Sequence, residues 1–157
     1  RSTVQNFAVQ QNLRFNAKIK RVILDGSIGA RYWHATSERK NFQTINSFDV
    51  TYGLNAQISL PAGFAFNTDC KLYQREGYSD ASMNDLRFVA NARLEKTFLR
   101  GRLGVALDGY DIFGGLSNVT KVINAQGIVE TWYNSLPSYA MLQISYKLSK
   151  PPKKKNQ

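Results

Sequence analysis

Residues 48–60 read Phe48-Asp49-Val50-Thr51-Tyr52-Gly53-Leu54-Asn55-Ala56-Gln57-Ile58-Ser59-Leu60. Every even position is apolar or aromatic, and every odd position is polar or glycine. A repeat of two is the side-chain period of a β-strand, whose successive Cβ atoms point to opposite faces. The run is also long. Strands of soluble proteins typically have ~5–6 residues, whereas a tilted strand that crosses a bilayer needs ~9–11.

The same alternation continues on both sides. Towards the N-terminus, Phe7, Val9, Leu13, Phe15, Ala17 and Ile19 share one parity, against Asn6, Gln10, Asn12, Arg14, Asn16 and Lys18, with Gln11 as the single break. Val22, Leu24, Ile28, Ala30 and Tyr32 then oppose Asp25, Ser27, Gly29 and Arg31. Towards the C-terminus, Phe64, Phe66, Thr68, Cys70 and Leu72 alternate with Asn67, Asp69 and Lys71. Leu86, Phe88, Ala90, Ala92 and Leu94 face away from Arg87, Asn91, Arg93 and Glu95, although Val89 intrudes on the polar side. Leu103, Val105 and Leu107 form a shorter example. The last segment sets Ala140, Leu142, Ile144, Tyr146 and Leu148 against Tyr139, Met141, Gln143, Ser145 and Lys147. Seven strands follow. No segment has the i, i+3, i+4, i+7 spacing of a helix.

The connections alternate short and long. Short links fall at 18–21, at Pro61-Ala62-Gly63 and at 97–102, the last two carrying turn-forming Pro or Gly. Long links are expected at 34–47, 75–85 and 114–137. The last contains its own β-like run, 119–133, with Gln126-Gly127 as its turn. Counting that run as a hairpin inside a loop puts all three short links at one end, the end the final strand runs towards. Short turns at one end and long loops at the other are the arrangement of outer-membrane barrels.

Composition narrows the classes further. Of 157 residues, 43% are hydrophobic and 12% aromatic, too many for a chain that cannot bury surface. No apolar run approaches the ~18 residues of a spanning helix. A single cysteine excludes an internal disulfide framework. The chain opens at Arg1 without the pattern of a signal peptide, as expected of a fragment, a processed chain or a truncated one. The formal net charge of +10 invites nucleic acid. However, Lys150, Lys153, Lys154 and Lys155 belong to the tail 149–157, and the other cations are spread singly through alternating segments. No nucleic-acid partner is expected.

Alternation does not by itself say which face meets lipid, since a soluble lipocalin-like barrel turns its apolar face inward. Three features favour a membrane. The polar face is rich in Asn, Gln, Ser and Thr; aromatics such as Phe15, Tyr32, Phe48, Phe64, Phe66 and Tyr146 sit near segment ends, where interfacial girdles form; and the strands are long. The expected fold is all-β, an antiparallel up-and-down transmembrane barrel segment over 1–148. A small or soluble barrel that binds an apolar ligand or has a structural role is the alternative.

Tyr110-Asp111-Ile112-Phe113-Gly114, followed by a loop and a closing strand ending Ser145-Tyr146-Lys147-Leu148, resembles the C-terminal end of TonB-dependent receptors, in particular the Bacteroidetes outer-membrane β-barrel branch. There a DIFN-like motif precedes a last strand ending in a YKF-like motif. Here Gly114 stands for the usual Asn and Leu148 for the terminal aromatic, which in such families helps the insertion machinery recognise its client. The resemblance implies a bacterial outer-membrane location and a barrel of ~22 strands around a plug. It also implies coupling to the TonB complex through an N-terminal part, and uptake of a nutrient or siderophore-like solute. Spread over seven strands, 157 residues give about 22 per strand with its connection, so a full barrel needs some three times this length. An odd strand number and open edges in lipid point to the same conclusion. An eight-stranded small barrel that uses 119–133 is the other arrangement.

No enzyme chemistry is expected. His34 stands alone, which leaves no His-rich metal site and no Ser–His–Asp set within the chain. Cys70 lies on the apolar parity as a small hydrophobe. The glycines at 101, 104, 109, 114 and 115 lack the Gly-Lys-Ser/Thr of a phosphate loop, so no cofactor is anticipated. Asp108 and Asp111, three apart, would face opposite sides of a strand. The charged residues Arg14, Arg31, Asp49, Asp69, Arg87, Arg93 and Glu95 fall on the expected lumen face as candidate plug or substrate contacts, beside their plainer role as cross-strand pairs. Tyr78, Trp132 and Tyr133 fall in expected external loops, as candidate ligand contacts or as loop packing.

Overall fold

A computed structural model describes residues 3–38, 44–124, 127–134, 136 and 138–148. Among the described residues, seven strands form one antiparallel sheet in chain order: β1 (Val4–Ile19), β2 (Val22–Ser37), β3 (Ile45–Ser59), β4 (Phe64–Glu76), β5 (Asp85–Phe98), and the shorter β6 (Leu103–Tyr110) and β9 (Tyr139–Tyr146). The connection from β6 to β9 carries a separate hairpin, β7 (Val119–Asn124) with β8 (Gly127–Trp132), paired only with itself. The run at 119–133 is thus a loop hairpin, as expected; Gln126 of its proposed turn and the tail 149–157 lie outside the described residues. Among the described residues, helix is limited to three 3-10 turns, Pro61–Gly63, Ala81–Met83 and Leu99–Gly101.

The register keeps each face in phase from strand to strand. One apolar row runs Leu13↔Ile28↔Tyr52↔Leu72↔Phe88, and a second runs Phe66↔Leu94↔Leu107↔Leu142. A slip of one residue anywhere would turn a strand's apolar set to the other side. None occurs. Most of these residues are exposed, Leu13 by 59% and Leu142 by 64%, as is Ile144 nearby, by 66%. A continuous band of open apolar side chains this wide has lipid as its natural solvent.

The short links are tight because they use left-handed backbone. Lys20 has φ 50°, Ala62 58°, Leu99 52° and Arg100 55°, with Gly63 and Gly101 completing their turns. All three turns lie at one end of the sheet, and the connections 38–44, 77–84 and 111–138 lie at the other.

The link expected over 34–47 is shorter than the sequence suggests. The ladder runs on through Ala35↔Ile45, and strand structure claims residues 34–37 and 45–47. The reason is local. His34 and Asn46 occupy outward positions of the ladder and satisfy each other, Nδ1 to Oδ1 at 2.6 Å, with the Tyr32 hydroxyl donating to the same Asn46 oxygen at 3.3 Å. Polar residues there mark the edge of the apolar band, not the end of the strand.

A second, smaller core lies on the polar side at the long-loop end, where Ala35, Ile45, Ser47, Met83, Tyr78 and Val89 are buried. It explains Val89, the apolar residue on the wrong parity. β6 is only eight residues long, so the upper half of β5 has no neighbour from it, and the segment after β6 fills the space with Gly115 against Val89.

Candidate functional site

The polar face gathers the charged residues that the sequence put there. Arg14, Arg31, Asp49, Asp69, Arg87, Arg93 and Glu95 share its parity, and they fall into separate groups.

At the long-loop end, Arg75 Nε lies 3.3 Å from Asp49 Oδ1, and the Tyr78 hydroxyl donates to both carboxylate oxygens at 2.9 and 2.8 Å. The Arg75 guanidinium stacks 4.5 Å from the Tyr78 ring centroid. Asn84 closes the loop by accepting from Tyr78 N and donating to Tyr78 O, both at 2.9 Å. Tyr78 is therefore buried as a lock and is not an open loop aromatic. Arg31 stands opposite Asp49 in register and lies 5.3 Å over the ring of Trp33, while Arg87 pairs with Asp85 at 2.6 Å.

Midway down, Asn16 donates to Asp25, and Asn91 Nδ2 donates to both oxygens of Asp69 at 3.1 Å. Arg14, Asn16, Asp25, Ser27, Asn55 and Asp69 border a concavity of about 500 Å³ on this face. Arg14 makes no ion pair among the described residues.

Lower still, Arg93 Nη1 reaches Asp108 at 3.0 and 3.1 Å and Gln143 Oε1 at 3.0 Å, and Glu95 lies 3.4 Å from Nη2. Asp108 is 4% exposed, so its charge depends on that guanidinium. Sequence reasoning gave Arg75, Asn91, Asp108 and Asp111 no place among the candidate site residues. Asp108 was within reach: pairing Phe98 with Leu103 across the turn sets Arg93 opposite Asp108.

Asp111 shows what the Asp-Ile-Phe-Gly stretch does. It is buried with φ 45°, and its carboxylate accepts from Gly115 N at 2.7 Å and Leu116 N at 3.0 Å. Asn91 Oδ1 accepts from Asp111 N at 2.8 Å, Ile112 N donates to Ala90 O at 2.9 Å, and the Ser138 hydroxyl donates to Asp111 O. Phe113 packs on Phe88 at 5.4 Å between centroids, on the apolar side. The stretch is a corner that ends β6 and launches the loop. Asp108 and Asp111 do not form an acid/base pair.

The hairpin is tied to the β4–β5 loop. Lys121 Nζ donates to Ser82 Oγ at 2.9 Å and pairs with Glu130 at 2.9 Å, and Arg75 Nη1 donates to Lys121 O at 3.4 Å. The contact to Glu130 holds the Lys121 ammonium above its usual pKa. Asp80 is held below the usual carboxylate range because the Ser82 hydroxyl and backbone N–H both donate to it. Trp132 and Tyr133 at the end of the hairpin are exposed, by 74% and 56%. Cys70 is half-buried on the apolar parity, and no group of three His, Cys, Asp or Glu suited to a metal occurs among the described residues.

An apolar band on one side, a polar face crossed by ion pairs on the other, and turns and loops sorted to opposite ends define the wall of a transmembrane β-barrel. The chain belongs to the outer membrane protein beta-barrel family, whose family model matches residues 1–146. Its place is accordingly the outer membrane. No curated protein matches the chain, and no solved structure does.

Proposed function

We propose that the chain is the C-terminal part of the barrel of a TonB-dependent transporter that takes up a nutrient or siderophore-like solute and performs no chemistry on it. The observation that carries this reading is the covered end of the polar face. A passive pore needs an open wall. Here the loop locked by Asp49, Arg75 and Tyr78, with the hairpin fastened to it by Lys121, lies over the face at the long-loop, extracellular end. In this reading the exposed Trp132 and Tyr133 meet the solute, and Arg14, Arg31, Asp69 and Arg87 face a plug. Energy passed from the TonB complex to that plug opens the path. The sheet supports the larger barrel, because β1 and β9 do not pair with each other among the described residues, and a closed wall in lipid must satisfy both edges. The same lack of pairing leaves a small self-closed barrel without support.

The test is uptake by cells carrying the full-length protein, with and without an uncoupler that dissipates the proton-motive force. Accumulation of the transported solute is expected to collapse on uncoupling, and to fall at least tenfold in Trp132→Ala/Tyr133→Ala. Uptake that continues unchanged in uncoupled cells would identify a passive channel and overturn the proposal.

A further inference from the structure

Charge is sorted along the strands. Carboxylates such as Glu38, Glu76, Asp80, Asp85 and Glu130 lie towards the long-loop end. The short-turn end carries Lys20 and Arg21 on one turn, Arg100 and Arg102 on another, Lys96 just above the latter, and Lys147 just past β9. None of these six cations makes an ion pair among the described residues. Glu95, the carboxylate near them, lies on the polar face and is engaged by Arg93.

Four of the six lie at the β5–β6 turn and the end of β9, with Arg102 and Lys147 on the polar parity of their strands. Lys147 N donates to Arg102 O at 2.8 Å, which brings the end of β9 against the β5–β6 turn that holds Arg100. Lys96 shares the outward parity of Leu94 and Phe98. Its ammonium lies 4.3 Å from the Phe64 centroid and 5.0 Å from that of Phe98. Phe98 and Leu99 beyond it are still exposed and apolar, as is Tyr146 on the neighbouring strand pair. Lys96 therefore sits at the margin of the lipid-facing band, held by two aromatic rings, with no carboxylate paired to it among the described residues. A cation at that depth is costly unless an anion comes to it. The group that reaches this depth from the lipid side is a headgroup phosphate, and basic clusters at a bilayer surface attract anionic lipid.

We propose that the β5–β6 turn and the end of β9 form a binding site for an anionic phospholipid of the leaflet on the short-turn side, with Lys96 and Arg100 holding the phosphate, Arg102 and Lys147 adding field, and Phe64 and Phe98 flanking the upper acyl chain. The site serves the barrel whatever solute the lumen carries.

The full-length protein is reconstituted in nanodiscs of phosphatidylcholine with a minor share of phosphatidylglycerol, released into mild detergent, and its retained lipid is counted by native mass spectrometry. Phosphatidylglycerol should be enriched about tenfold over its share, falling to about twofold in Lys96→Gln/Arg100→Gln. Lys71→Gln, on the polar face, should keep the full enrichment. Heat-modifiable gel migration verifies that each variant is folded. Millimolar inorganic phosphate should leave the enrichment in place. Equal enrichment in wild type and the double variant would overturn the site, and loss of enrichment in free phosphate would overturn the lipid as its ligand.

Discussion

Gly115→Ala is expected to unfold the corner after β6 and cost the barrel ~3 kcal/mol or more. A Cβ at residue 115 would stand 1.9 Å from Phe88 O and 2.7 Å from its carbonyl carbon, and this backbone is held in the β4–β5 ladder. Nothing there can step aside. The substitution also withdraws Gly115 N from Asp111, whose buried carboxylate organises the turn. Gly26→Ala provides the contrast. Its added Cβ would meet only the far end of the Phe15 ring, on the exposed apolar side, and a ring can swing into lipid; a cost of about 1 kcal/mol is expected. Heat-modifiable migration and urea unfolding of the full-length protein in detergent measure both. A Gly26 variant weaker than the Gly115 variant would contradict this account of the corner.

Arg93→Ala should cost about 3 kcal/mol, because it strands the Asp108 carboxylate at 4% exposure. Much of that cost is the unpaired charge and not the lost contact, so Arg93→Ala/Asp108→Ala should recover more than half of it. Arg93 is itself about one-third exposed, which keeps the figure at the lower end for a buried pair. Removing Glu95, which is equally open and lies 3.4 Å away, should change stability by under about 0.5 kcal/mol. The same unfolding series reads all three variants. A double variant as weak as the single one would show that Asp108 does not depend on Arg93.

Much of this was legible in the residues, and the failures have physical causes. The alternation at 48–60 was readable because each position there has one role, lipid or lumen, and the register then carries it from strand to strand. The hairpin at 119–133 was readable from counting ends, since only that assignment lets the final strand run towards the end that holds the short turns. The link at 34–47 was overdrawn because hydropathy marks the apolar band and says nothing of a ladder that continues past it, where His34 and Asn46 satisfy each other. The sequence leaves Tyr78 between a ligand contact and loop packing because its partner, Asp49, is far away in sequence. The corner role of Asp111 was not readable, because it rests on a left-handed backbone and on donors that follow it. The charged lumen residues were placed on the right face, but their grouping depends on cross-strand register, which alternation alone does not supply.

The central claim is that the apolar parity of the sheet faces lipid and the polar parity faces water. Nitroxide labels placed one at a time at cysteines replacing Phe48, Val50, Tyr52, Leu54 and Ala56, and at the intervening Asp49, Thr51, Gly53 and Asn55, test it in the reconstituted full-length protein. Collision with dissolved oxygen and with a water-soluble nickel chelate should alternate with period two, with oxygen favoured at the even positions and nickel at the odd ones. The opposite phase, or no alternation along β3, would contradict it.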